Sequence, residues 1–237
     1  MFTYNPWLGC HKLSPGCQNC FVFSFDNQKI DSNHIIKNKN FDILTKKNRQ
    51  GHYLIRGGQD VIVCQKSDFF LEEADIYRDA VFKMIKERKD LHFILLTKRI
   101  ERALSLPSNF LDEFNNITIT VSCEDQKTFD ERISILLKLK VRSKTIMLAP
   151  LLDEIDITTL LKNNHDIEYI NCGGENGKGA RPLDFLAAKK ISDDALRLGI
   201  PFYFFDTGAY VIKDNKKYYI PYEKRYSQAF LANISHN

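Results

Sequence analysis

Short apolar runs alternate with segments of helical spacing along this 237-residue chain, and that alternation limits the fold more than any single motif does. Runs at Val61–Cys64, His92–Thr97, Ile117–Ser122, Thr145–Leu148, Tyr169–Cys172 and Phe202–Phe205 read as strands. Helical spacing is found at Ala74–Arg88, Ile100–Ser105, Gln126–Leu139, Ile157–Asn163 and Leu183–Leu198. Runs that are apolar on both faces and rich in β-branched and aromatic residues belong in a parallel sheet covered by helices, joined by right-handed crossovers. The expected fold is therefore α/β, a partial (β/α)6-7 TIM-like barrel, in a single domain over residues 1–237. The length permits a sizeable core, and no Pro/Gly/Ser-rich linker or low-complexity run marks a boundary. Residues 24–60 break the alternation, being polar and rich in Asn and Lys. They read as a helix followed by a hairpin, with Tyr53–Val63 turning at Gly57-Gly58.

Ligands of such sheets bind at the C-terminal ends of the strands, and the polar residues of this chain collect there. The ends carry Gln65, Lys66, Ser67 and Asp68; Thr97, Lys98 and Arg99; Ser122, Glu124 and Asp125; Pro150; Gly173, Gly174 and Glu175; and Asp206. Taken singly, Ser67, Ser122 and Asp206 also read as helix N-caps. Thr97-Lys98-Arg99 sets two cations where a carboxylate or phosphate could be met, or where they merely cap a surface. Ser122 and Glu124 offer a hydroxyl and a carboxylate, groups that suit a ribose and an ammonium.

Three cysteines, Cys10, Cys17 and Cys20, are spaced C-x6-C-x2-C near the start of the chain. Three thiolates are one short of a closed structural zinc site, whereas a site that does chemistry keeps one position open. A 4Fe-4S cluster held by three thiolates leaves one iron free for a further ligand. A zinc knuckle completed by His11 or a distant Cys, and plain buried thiols, remain open readings. Gly9 and Gly16 supply permissive backbone for a chain wrapping an inorganic centre. Phe21, Phe23 and Phe25 would shield such a centre or simply join the core, and Trp7 would stack on a flat ring or fill the core. Cys64, Cys123 and Cys172 read as small buried residues.

The segment Asn171 to Pro182 has four glycines in seven positions just after a strand, with Lys178 and Arg181 as cations. It is open as a phosphate-binding loop, although no Walker or dinucleotide spacing is present, and equally as a plain glycine-rich turn. Glu175 faces the same choice between a base or ribose hydroxyl and a salt bridge with Arg181.

Charge narrows the partners. Lys plus Arg exceed Asp plus Glu by only 4, with basic clusters at Lys37–Arg56 and Lys213–Arg225, so nucleic acid is not expected and a small anionic substrate is compatible. No apolar run approaches the roughly 20 residues that cross a bilayer, and residues 1–5 lack the basic and apolar regions of a secretory signal. The expectation is a cytoplasmic protein without membrane contact, its cysteines thiols or ligands and not disulfides.

Six ordered motifs carry a resemblance that runs nearly end to end. They are Asn5-Pro6-Trp7 with Gly9-Cys10 and Ser14 to Cys20; Ser67-Asp68-Phe69-Phe70; Leu96-Thr97-Lys98-Arg99; Val121 to Gln126; Pro150-Leu151-Leu152; and Gly173 to Gly177 with Ala180-Arg181-Pro182. Together they resemble a radical S-adenosylmethionine-type family with a three-cysteine motif, whose spacing departs, as here, from the usual C-x3-C-x2-C. Within it the chain is most similar to the queuosine lyases of queuine salvage. The resemblance implies a partial barrel of the radical S-adenosylmethionine type, with a 4Fe-4S cluster on Cys10, Cys17 and Cys20. It further implies S-adenosylmethionine as cofactor and an electron donor such as flavodoxin or ferredoxin. The 5′-deoxyadenosyl radical formed from the cofactor would abstract hydrogen from the ribose of a small nucleoside or nucleotide, queuosine or its 5′-phosphate, and so release queuine. Ser67, Thr97, Lys98, Ser122 and Glu124 are the candidates for S-adenosylmethionine. Asp68, Glu175, Asn176, Arg181 and Asp206 are those for substrate. A photoproduct-lyase-like enzyme acting on nucleic acid and a zinc-binding nucleic-acid adaptor are the competing readings.

Overall fold

The structure, a computed structural model, describes residues 1–23, 34–177 and 179–237. The chain forms two compact units, each drawn from separated stretches: Met1–His11, Phe25–Thr120 and Leu139–Ser143 in the first, and Lys12–Ser24, Val121–Lys138 and Lys144–Asn237 in the second. The fold is α/β.

In the first unit, strands β1 (Phe2–Tyr4), β4 (Asp60–Val63) and β5 (His92–Thr97) pair side by side in parallel, and β6 (Ile117–Cys123) follows β5 in the same sheet. A short antiparallel pair, β2 (Trp7–Leu8) with β3 (Ile36–Lys37), lies outside it. Helix α1 (Asp75–Glu87) buries Val81, Phe82, Met84 and Ile85. Phe82 meets Phe69, Phe110 and Phe114 at ring separations of 4.9–5.5 Å, an aromatic cluster in the edge-on and tilted geometries that ring quadrupoles favour.

In the second unit, the end of β6 is followed in the sheet by β7 (Ser143–Leu148), β8 (Ile167–Gly173) and β10 (Phe202–Asp206), with β7–β8 and β8–β10 both parallel. All seven residues of β6 are buried, as the apolar-on-both-faces reading requires. Helices α2 (Gln126–Leu136), α3 (Thr158–Leu161), α4 (Phe185–Leu198) and α5 (Arg225–Leu231) alternate with the strands. Helix α2 starts on a capping box in which Asp125 accepts from Thr128 N, and α4 ends on Gly199 at φ +68°. A three-stranded ribbon, β12 (Lys216–Tyr219)-β11 (Tyr210–Lys213)-β9 (Leu183–Asp184), completes this unit.

The parallel strands β4, β5, β6, β7, β8 and β10 are those the sequence indicates, β1 is a further one it does not, and their succession is one a partial barrel also has. Several details differ. Gly57-Gly58 does not turn a hairpin: β4 begins after it and pairs in parallel with β1 and β5, while Gly58 N donates to Asp90 O at 2.7 Å. The tight turn in this stretch lies earlier. Asn48 N donates to His52 O at 2.8 Å, Gly51 adopts φ +82°, and Lys47 bridges Tyr53 antiparallel. The wholly buried Arg88 fixes the segment by donating to the carbonyls of Leu44 and Ile55 and to Asp90. The helix expected in residues 24–60 falls partly on residues 24–33, outside the described residues; beyond them the chain makes turns and the short β3. The Ile100–Ser105 segment is a 3-10 helix and not an α-helix. No helix among the described residues is long and apolar enough to cross a membrane.

Candidate functional site

Each unit gathers part of the predicted site, and in each some of the polar groups brace a cysteine-bearing loop against strand ends. In the first unit the loop leaves β2 at Leu8 and passes Gly9, at φ +91°, into Cys10 and His11. A Cβ is disfavoured at that φ, so glycine is required where the chain bends. Two contacts fix the segment before the loop and two hold the loop itself. Asn5 Oδ1 accepts from Lys66 N at 2.8 Å, Trp7 Nε1 donates to Asp68 O at 3.2 Å, Ser67 Oγ donates to Gly9 O, and Arg99 donates through Nη2 to His11 O at 2.7 Å. Trp7 is fully buried beside Tyr77 and Phe69, so it serves the core.

Asp68, 4% exposed, is the hub of this network. Its Oδ1 accepts from Phe70 N at 2.9 Å and Thr97 Oγ1 at 2.7 Å; its Oδ2 accepts from Lys98 N at 2.8 Å and Arg99 Nη1 at 3.2 Å. Four donors occupy both oxygens, about the capacity of a carboxylate. Thr97 also accepts from Arg99 N at 2.8 Å. Arg99 Nη1 lies 4.0 Å from Cys10 Sγ. Burial works against the charge on Arg99, and Asp68 and Cys10 more than offset it, holding its pKa above the usual value.

In the second unit Cys17 ends a 3-10 turn over Pro15–Cys17, with its N donating to Ser14 O at 2.8 Å, and Cys20 follows three residues on. Glu124, fully buried at the end of β6, accepts from Gly16 N at 3.2 Å and from Arg132 Nη1 at 2.9 Å; the same nitrogen donates to Ser122 O. Ser122 Oγ donates to Ala149 O at 3.1 Å, the residue that opens the cis Ala149-Pro150 bond. Glu175 accepts from Asn19 Nδ2 at 2.9 Å and from Arg181 N and Nε at 2.7 and 2.9 Å, with Arg181 Nη2 on its other oxygen. Arg181 Nη2 reaches on to Pro15 O at 2.9 Å. Burial would raise the Glu175 carboxyl, and the bonds from Arg181 and Asn19 overcome it and hold its pKa below the usual range. Asp206 accepts from Gly208 N at 2.7 Å and Asn176 Nδ2 at 2.8 Å, and Asn176 Oδ1 in turn accepts from Arg225 Nη1.

The glycine-rich segment has a structural reason. A Cβ on Gly174 would lie 2.3 Å from Thr207 O, and one on Gly208 2.7 Å from Glu175 N. The backbones after β8 and β10 therefore touch, which sets Glu175 and Asp206 in place. Lys178 lies outside the described residues.

The predicted residues thus divide into Cys10, Ser67, Asp68, Thr97 and Lys98 in the first unit, and Cys17, Cys20, Ser122, Glu124, Glu175, Asn176, Arg181 and Asp206 in the second. The carboxylates among them engage protein donors. Arg132, Arg225 and Asn19 are hydrogen-bond partners of Glu124, Asn176 and Glu175 that no sequence motif singles out. Arg132 lies on α2, which begins two residues after Glu124, so the two are near neighbours along the chain.

All six cysteines are thiols. Cys64, Cys123 and Cys172 are wholly buried, and burial pushes the thiols of Cys64 and Cys172 well up, away from the reactive thiolate. Cys10 and Cys20 are partly exposed and Cys17 is buried, all three on loops with permissive glycines or 3-10 turns. That donor chemistry fits a thiolate-bound iron or zinc centre. Among the described residues no group of three or more His, Cys, Asp or Glu side chains is gathered as metal ligands.

These features define an α/β protein of parallel strands whose strand-end carboxylates brace two cysteine-bearing loops. Residues 1–230 match a family described as a protein family of unknown function (DUF5131), and the chain belongs to that family. No curated protein and no solved structure matches it.

Proposed function

We propose that this chain is a radical S-adenosylmethionine lyase that splits the glycosidic bond of queuosine or queuosine 5′-phosphate and releases queuine for salvage, on a partial barrel of that enzyme type. Cys10, Cys17 and Cys20 would hold the 4Fe-4S cluster. When bound, the cluster and S-adenosylmethionine supply one electron and a carbon-centred radical able to take a hydrogen atom from a ribose.

The observation that carries the reading is the bracing of both cysteine-bearing loops by buried charge. Arg99 on the Asp68 hub grips the Cys10–His11 turn, while Glu124 and the Glu175–Arg181 pair grip the chain from Pro15 to Asn19. Burying ion pairs is costly, and a chain that only needed to bury three thiols would gain more from apolar packing. Loop positions fixed to a fraction of an ångström are what a multi-thiolate centre requires. The work of the protein is then to position, to exclude water and to hold charge. Ser122, Thr97 and Lys98 remain the groups proposed to meet S-adenosylmethionine, and Asn176 and Asp206 those proposed to meet the nucleoside. Asp68, Glu124, Glu175 and Arg181 are better employed as braces.

The test is anaerobic reconstitution followed by incubation with reductant, S-adenosylmethionine and queuosine. About four irons per chain, lost in Cys10→Ala, Cys17→Ala and Cys20→Ala, together with queuine in the products, is the expected result. A colourless protein with one zinc rejects the cluster. 5′-Deoxyadenosine formed without free base rejects the lyase.

A further inference from the structure

We propose that Arg99 is a positioning residue for Cys10: it fixes the Cys10–His11 turn and donates a hydrogen bond to the Cys10 sulfur, which raises the reduction potential of the centre bound there. The potential half of this inference rests on the proposed cluster; the positioning half does not.

Arginine seldom stays inside a protein, because its head seeks water. Arg99 is only 9% exposed. Asp68 Oδ2 meets Nη1 at 3.2 Å, and that carboxylate cannot swing away because Phe70 N, Thr97 Oγ1 and Lys98 N also hold it. The Arg99 backbone N is itself tied to Thr97 Oγ1 at 2.8 Å. Held in this way at its root and at Asp68, the guanidinium also meets His11 O at 2.7 Å and Cys10 Sγ at 4.0 Å. A planar fork satisfies these three acceptors at once, which the single ammonium of lysine does not. Reducing an iron–sulfur centre adds negative charge to its thiolate sulfurs. A cationic hydrogen-bond donor on one of them stabilises the reduced form and raises the potential.

The experiment compares wild type with Arg99→Gln and Arg99→Lys by two readouts. In the metal-free protein, amide exchange of residues 9–13 should rise about tenfold in Arg99→Gln, while α1 of the same unit stays at the wild-type rate. In reconstituted protein, a potentiometric titration followed by electron paramagnetic resonance should find the Arg99→Gln midpoint lower by about a tenfold change in the one-electron equilibrium constant, about 59 mV. Arg99→Lys should fall between. An unchanged potential in an iron-loaded Arg99→Gln protein overturns the proposal. Wild type that takes up no iron overturns the function proposed above, and exchange then decides alone: unchanged rates at residues 9–13 overturn the positioning. If Arg99→Gln does not fold, Arg99→Lys decides, and behaviour identical to wild type in both readouts overturns the proposal.

Discussion

Replacing Glu175 by glutamine removes one charge from a pair that holds a cysteine-bearing loop, with almost no change of shape. The Glu175 side chain is 4% exposed and that of Arg181 31%. Stranding a fully buried partner costs about 3–5 kcal/mol, whereas an exposed pair is worth about 0–1 kcal/mol. Arg181 lies between these limits, and glutamine keeps one carbonyl oxygen for Asn19 or Arg181 N. The expected loss is therefore about 2 kcal/mol, which for a chain of this size lowers the melting temperature by about 4–8 °C. Urea unfolding at pH 7, followed by circular dichroism, reads the change directly. A cycle with Arg181→Met should show a coupling of at least about 1 kcal/mol, because either single change leaves the other residue's polar atoms unsatisfied. Were Glu175→Gln within about 0.5 kcal/mol of wild type, or the two changes additive, the bracing argument for this unit would fail.

Two further outcomes follow from the same geometry. The stability difference between wild type and Glu175→Gln is fully present above the ordinary glutamate pKa of about 4.5, because the folded value is depressed. It should shrink as pH falls below that value, and a difference that grows on acidification in urea titrations would contradict the assignment. Gly174→Ala should destabilise by about 3 kcal/mol or prevent folding, since the added Cβ meets the backbone carbonyl of Thr207 and not a side chain that can turn aside. Near-wild-type urea midpoints for that variant would show that the two strand ends do not touch.

Legibility differed by element, for physical reasons. β6 was plain because every residue of Ile117–Cys123 is buried, so its apolar run is unbroken. β1 was missed because three residues carry too little period, and its parallel partner lies some sixty residues away. β7 begins at Ser143-Lys144, two residues before the apolar run. Both residues are buried, with Ser143 bonded to Thr118 and Lys144 to Asp166, and polarity hid them. The hairpin of β11 and β12 had a usable sign, Asp214-Asn215, whose φ values of +52° and +58° suit the two-residue turn that such residues favour.

By itself the sequence determined the α/β class, the order along the chain of the parallel strands from β4 onward and the strand ends at which polar groups would stand. Those follow from local periodicity, which each segment carries within its own residues. Only the tertiary structure decided what the polar groups do. Gly16 meets Glu124 across 108 residues and Asn19 meets Glu175 across 156, and no local pattern announces such a partner. A carboxylate at a strand end looks the same in sequence whether it faces a ligand or a distant backbone N–H. Burial and the donors that surround it make the difference, and both arise only when separated parts of the chain are packed together.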